Sequence, residues 1–308
     1  MKHSSVVFAL SLSLVSAQAA AAEKLEVVSS LPTYAALVQE VGGDLVTTSS
    51  IGGARFNPHF IEPRPSDVLR LKRADLFVHS GLDLEAWRGP LVNATGRAEV
   101  KPGGERELDL SRGIHLLNVP RGAVSRSEGD IHLFGNPHYW LSPENGLIIA
   151  DEIAEKLAEL DPEHAALYLG NRDRFRARLA GRIEQWKQQS RALTGAEFIG
   201  YHDQWIYLME FLGFTMEKFL EPKPGIPPTP RHLLLLQQYT ASSPVVGIVH
   251  ATFYPDDAAR ALGERSGLPV LALPQNVGEI PEAADYISLL EYDISRLIGA
   301  AQRGRSHE

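Results

Sequence analysis

Twice along this chain, short runs rich in β-branched residues alternate with helical runs, and a long polar helical stretch separates the two series. In the first series, 25–31, 45–51 and 76–78 read as strands, with helices over 34–41 and around Val68 to Leu71, where Ser66 offers a cap. In the second, 197–201, 245–250 and 270–273 read as strands, with helices over 205–212, 231–240, 256–266 and 285–301. A helix between consecutive strands lets them run parallel, so each series implies a parallel sheet with crossover helices. Between the series, Ile148, Ile149, Ile153, Leu157 and Leu160 share one side of an amphipathic helix over 145–160. A second helical pattern, over 163–193, would span about 45 Å. That is long for a core helix and suits a rigid connector. The expected fold class is therefore α/β, with two parallel-sheet lobes joined by one long helix. The expected division is 23–162, 163–193 and 194–308, consistent with 308 residues at about 150 per domain. Residues 99–134 are the least regular and read as a strand or two plus an exposed loop over 121–130. Pro222 to Pro230 reads as a rigid, Pro-rich turn.

The first 22 residues read as a cleaved export signal. Lys2 supplies the positive start, Val6 to Val15 the apolar stretch, and Ala20-Ala21-Ala22 the small residues before cleavage. The apolar stretch falls short of the ~20 residues that a membrane span needs. The chain has no cysteine. This excludes disulfides, thiolate metal sites, iron–sulfur clusters and a lipid anchor on an N-terminal cysteine. The expected location is a periplasm, without lipidation. With 30 Lys and Arg against 38 Asp and Glu, a net charge of −8 argues against nucleic acid and anionic membranes as partners.

Ligands of open parallel sheets bind beyond the carboxyl ends of the strands. The polar residues expected there include a repeated tripeptide, Asn57-Pro58-His59 and Asn136-Pro137-His138, together with His202, Gln275 and Asn276. Without thiolates, imidazole nitrogen is the natural ligand for Zn²⁺, and each proline would fix the backbone ahead of its histidine. The three histidines are far apart in sequence, however. Their spacing leaves open whether they bind metal or are structural.

Four stretches resemble signatures of the cluster A-I solute-binding proteins of zinc and manganese ABC importers (ZnuA/TroA type). They are NPHFIEPRPSDVLRLKRADLFVHSGLDLEAW from Asn57, NPHYWLSPENGLIIADEIAEKLAELDPEHAALY from Asn136, IGYHDQWIYLMEFLGF from Ile199 and EPKPGIPPTPRHL from Glu221. The resemblance covers most of the chain. It implies two lobes, a rigid linking helix and one metal ion in the cleft between lobes. It also implies metal ligation by His59, His138 and His202 and delivery to a membrane ABC permease. Three nitrogens favour Zn²⁺ over Mn²⁺. The sequence departs from the family at the fourth ligand, commonly an Asp after the last strand. Here Gln275 is the nearest positional match, and the next acid is Glu279.

Asp203 could orient His202 or ligate. His79 and His250 end strands and are structural, secondary or alternative ligands. His115 and His132 flank the irregular loop, and two histidines do not make a metal-scavenging tract. Glu62 and Glu85 are either permease contacts or ordinary surface residues, and the four tryptophans read as core or lobe-interface residues. A monomeric binding protein rather than an enzyme is the leading expectation. The rivals are a three-His zinc hydrolase, with Asp203, Glu279 or Glu221 as base, and a receptor for manganese or a chelated metal.

Overall fold

The computed structural model describes residues 24–120, 122 and 132–305. The expected export signal and nearly all of the expected 121–130 loop lie outside them. The first sheet contains β1 (Leu25–Ser29), β2 (Val46–Ser50), β3 (Leu76–His79) and β4 (Glu107–Asp109), in the order β2-β1-β3-β4. All its pairings are parallel. Its helices are α1 (Pro32–Gly42), α2 (Pro65–Arg73) and α3 (Arg88–Thr95). Two helices follow, α4 (Pro143–Leu160) and α5 (Ala165–Ser190). The second sheet repeats the plan with β5 (Glu197–Gly200), β6 (Thr215–Phe219), β7 (Val245–Ala251) and β8 (Val270–Leu273), all parallel in the order β6-β5-β7-β8. Its helices are α6 (Ile206–Leu212), α7 (Pro230–Thr240), α8 (Asp257–Ser266) and α9 (Tyr286–Arg305).

Both faces of a parallel sheet must be covered, and three hydrophobic clusters do this. Successive residues of β1 point to opposite faces. Val28 joins Leu71, Phe77, Trp87 and Val92 under α2 and α3. Val27 joins the main cluster, which runs through Trp140, Phe175 and Trp186 to Leu297 of α9. A third cluster, with Ile199, Leu236, Ile248 and Leu262, fills the outer side of the second sheet. The main cluster is therefore shared by both lobes. All four tryptophans are buried.

The long helix is packed along its length. Tyr168, Phe175, Leu179, Ile183, Trp186 and Ser190 form its buried stripe, and it lies against α1, α4, α6 and α9. It is as much a spine for both lobes as a bridge. Three details depart from the sequence reading. Ser66 is not the cap of α2: Arg64 precedes the helix and Pro65 takes its first position, where a missing N–H costs nothing. The Asp67 carboxylate instead accepts the Arg64 N–H at 2.6 Å. Neither α3 nor β6 was visible in the pattern; β6 is an edge strand whose TMEKF sequence mixes charge with apolar residues.

One close approach locks α4 against α9. The Tyr286 hydroxyl donates to the carbonyls of Trp140 and Ser142, at 2.7 and 3.1 Å. Its ring lies so close to α4 that a Cβ on Gly146 would sit 2.4 Å from it. The helix-propensity gain on replacing glycine is at most about 1 kcal/mol, whereas overpacking a core costs about 1–3 kcal/mol. Gly146→Val should therefore destabilise the protein in urea unfolding. An unchanged midpoint would contradict this packing.

Candidate metal centre

The two Asn-Pro-His tripeptides build the same local device. The side-chain oxygen of Asn57 accepts the backbone N–H of His59 at 3.1 Å, and that of Asn136 accepts the N–H of His138 at 3.0 Å. Each asparagine thus closes a turn onto the residue two ahead, while proline fixes φ between them. A short 3₁₀ turn follows at each site, Pro58–Phe60 and Tyr139–Leu141. The first turn lies beyond β2, the second just before α4. His202 follows β5 and opens the 3₁₀ turn Asp203–Trp205.

These three segments bring His59, His138 and His202 together, each with a ring nitrogen within 4.8 Å of the others'. Nε2 of His59 lies 3.1 Å from Nε2 of His138. Two nitrogens on a tetrahedral Zn²⁺ with bonds of about 2.0–2.1 Å would be about 3.3 Å apart. The ring centroids of His202 lie 5.4 Å from those of both His59 and His138.

Burial, then the neighbouring charges of His202 and His132, holds the His59 pKa well below its usual value. His138 is lowered in the same way by burial and by His59, His202 and His132. Both rings are therefore neutral near pH 7, with lone pairs available. Hydrogen bonds fix which nitrogen bears the lone pair. Nδ1 of His138 faces Oδ1 of Asn136 at 3.0 Å, and Nδ1 of His202 faces Oε2 of Glu221 at 2.9 Å. Both oxygens only accept, so each Nδ1 carries a proton; for neutral His138 this leaves the lone pair on Nε2, 3.1 Å from Nε2 of His59.

Glu221 also accepts the N–H of Gly225 at 3.1 Å, and Gly225 has φ +76°. The Pro-rich turn thus folds back onto the carboxylate that supports His202. In the sequence Glu221 reads only as a candidate general base; it opens the fourth family-like stretch just after β6, and nothing in its spacing shows that it supports His202. Asn136 ties the lobes by donating to the Asp203 carbonyl at 2.9 Å. Oδ1 of Asp203 is buried and lies 3.1 Å from Nε2 of His202.

The other expected candidates divide sharply. Gln275 is buried and neither atom of its side-chain amide has a hydrogen-bond partner. Glu279 is fully committed within its own loop, taking Thr252 on one oxygen and the N–H groups of Gln275 and Asn276 on the other, at 2.7 and 3.0 Å. His79 belongs to a separate buried cluster, with Nε2 2.7 Å from Glu107 and 2.7 Å from Arg88. His250 faces the Ala251 carbonyl at 3.0 Å and stands outside the three-His group. Glu85 is buried and accepts the Ser80 N–H at 2.8 Å, so it is no surface contact, whereas Glu62 is exposed. His115 is exposed, but His132 is brought to the centre, its ring 5.0 Å from that of His59.

A family model described as "ZnuA: Zinc-uptake complex component A periplasmic" matches residues 27–300. The manganese ABC transporter substrate-binding lipoprotein PsaA of Streptococcus mitis is 23% identical over 314 residues, covering 96% of this chain and 98% of its own. The iron-binding protein YfeA of Yersinia pestis is 25% identical over 290 residues, covering 90% of this chain and 86% of its own. A crystal structure of ZnuA aligns with a TM-score of 0.75 at 24% identity, over 91% of this chain and all of the other.

The lowered histidines set a sign for pH dependence. An unfolded histidine takes up a proton near pH 6.5, whereas folded His59 and His138 resist it to lower pH. Their contribution to stability is full above about pH 6.5 and is lost as the pH falls below it. The raised carboxyls of Glu279 and Asp293 act in the opposite sense. The diagnostic is therefore a comparison. Metal-free His59→Gln should lose less thermal stability than metal-free wild type between pH 7.5 and 5.5; equal losses would show that His59 is not the titrating group.

Proposed function

The chain belongs to the ZnuA family, whose members are substrate-binding proteins of metal ABC importers and not enzymes, and we therefore propose that it is a zinc receptor of such an importer. The observation that carries this reading is the meeting of three imidazole nitrogens from three separated segments, without a thiolate. Imidazole suits Zn²⁺, and the neutral rings of His59 and His138 bind it without first losing protons. His59, His138 and His202 are the proposed ligands.

Members of this family bind a divalent metal and work with a membrane permease and an ATPase. On the proposed reading this chain hands zinc to such a permease as a periplasmic monomer. Residues 1–22 serve as its export signal. The lobes are 23–162 and 194–308 about the 163–193 connector. Several relatives are lipoproteins by name; the absence of cysteine here supports an unlipidated form. Manganese is the second reading, favoured by the buried Asp203 oxygen beside His202, because oxygen donors favour Mn²⁺.

Calorimetry of the metal-free protein against Zn²⁺, Mn²⁺ and Cu²⁺ tests both readings. Zinc should bind at one ion per chain and more tightly than manganese. His138→Ala should weaken zinc by about 100-fold or more, since one of three proposed ligands is lost. Glu221→Gln should weaken it by about 10–100-fold, the usual cost of removing a ligand's supporting carboxylate. Tighter manganese binding, or zinc binding indifferent to His138, would overturn the zinc reading.

A further inference from the structure

His132 lies outside both Asn-Pro-His tripeptides, yet it reaches the same centre. Its ring centroid is 5.0 Å from that of His59 and 6.0 Å from that of His138. Nδ1 faces Oδ1 of Asp83 at 2.8 Å, and the other Asp83 oxygen accepts the Leu133 N–H at 3.0 Å. The carboxylate only accepts, so Nδ1 is the nitrogen that donates to it and Nε2 is the ring atom left free of Asp83. That Nε2 is buried and has no hydrogen-bond partner, in a side chain only 10% exposed.

The holder of this ring is itself unusual. Leu82 and Asp83 both have positive φ, +50° and +60°. Consecutive non-glycine residues in the left-handed region are held there only when surrounding structure demands it. Here that backbone turns the Asp83 carboxylate toward His132 and Leu133. The result repeats the arrangement at His202, where Glu221 holds Nδ1, and at His138, where Asn136 does.

Resting on the reading of the three histidines as a cargo-metal site, we propose that His132 is a fourth nitrogen donor, closing that site from the N-terminal lobe. Its Nε2 is not yet within 4.8 Å of all three other donors, so ligation requires the ring to swing inward past His59. The two rings already lie 5.0 Å apart between centroids, tilted by 35°. Four neutral imidazoles bring no charge to a divalent ion. Asp83 and Glu221, each bonded to the far nitrogen of a ligand, supply that charge from the second layer and raise the donor strength of the rings. A fourth imidazole also gives this chain a donor that Gln275, a neutral amide, supplies poorly.

Nitrogen NMR of the histidine rings tests the assignment in the full chain. On addition of one equivalent of Zn²⁺, the Nε2 signals of His59, His138, His202 and His132 should all move into the metal-bound range. His132→Gln should leave three such signals and weaken zinc at least tenfold. Three shifted signals in wild type, with His132 unmoved, would overturn the fourth-donor assignment and leave the three-His receptor standing. Failure of wild type to bind Zn²⁺ at all would overturn both. The wild-type spectrum decides the matter even if the variant folds poorly.

Discussion

The centre depends on which nitrogen of each ring carries the proton. A neutral imidazole offers one lone pair, and a metal site needs it on the inner atom. Asn136 and Glu221 enforce this for His138 and His202 by occupying Nδ1. Burial then keeps the rings neutral, since charging two of them 3.1 Å apart would be costly in both desolvation and repulsion. The centre thus gathers three imidazole rings, with ring nitrogens within 4.8 Å of one another. Donor atoms from three separated segments keep these distances only where the backbone around them is held firmly.

The lobes supply that firmness at the loop after β8. Thr33 of α1 donates to Oδ1 of Asn276 at 3.1 Å and accepts the Val277 N–H at 3.1 Å. The indole N–H of Trp140 donates to the Gln275 carbonyl at 3.0 Å, and Arg55 donates to the Glu279 carbonyl at 3.1 Å. Three separate N-lobe segments therefore seize one C-lobe loop. Glu279 organises that loop from within, and this is why its carboxylate is spent on backbone N–H groups and threonine rather than turned to the histidines. The shared core beneath, spined by α5, resists any drift of one sheet against the other.

Much of this was legible in the sequence, for reasons that are local. The strand–helix alternation follows from two periodicities, and three strands of each parallel sheet came out of it; the edge strand β6 did not. The paired Asn-Pro-His tripeptides announce themselves because proline and an asparagine turn act over three residues. His59, His138 and His202 were found through position after strands and through the family signatures. What escaped was long-range or against pattern. Glu221 reaches His202 only because Gly225 folds the Pro-rich turn back. His132 reaches His59 only because two left-handed residues aim Asp83 at it. Glu85 sits in a signature-like stretch that looks exposed, yet it is buried against the Ser80 N–H. No one-dimensional spacing encodes these contacts.

Relatives at about this distance are named for manganese and for iron, and the family model for zinc, so the common fold does not set the metal. On the proposed reading, selectivity lies in the donor atoms that this chain gathers around its three histidines. In this chain a glutamine stands after β8, with a neutral amide that has found no hydrogen-bond partner. The acids near the centre are mostly turned to imidazole: Glu221 to His202 and Asp83 to His132. A carboxylate used as a ligand brings hard oxygen and charge to the ion; used behind a ring, it brings charge alone and strengthens a nitrogen. The second use shifts a site toward zinc and away from manganese without changing its net charge. Among the described residues, Asp203 sets a buried carboxylate oxygen 3.1 Å from Nε2 of His202, and on the proposed reading the balance between the two metals turns on whether it remains there when an ion binds.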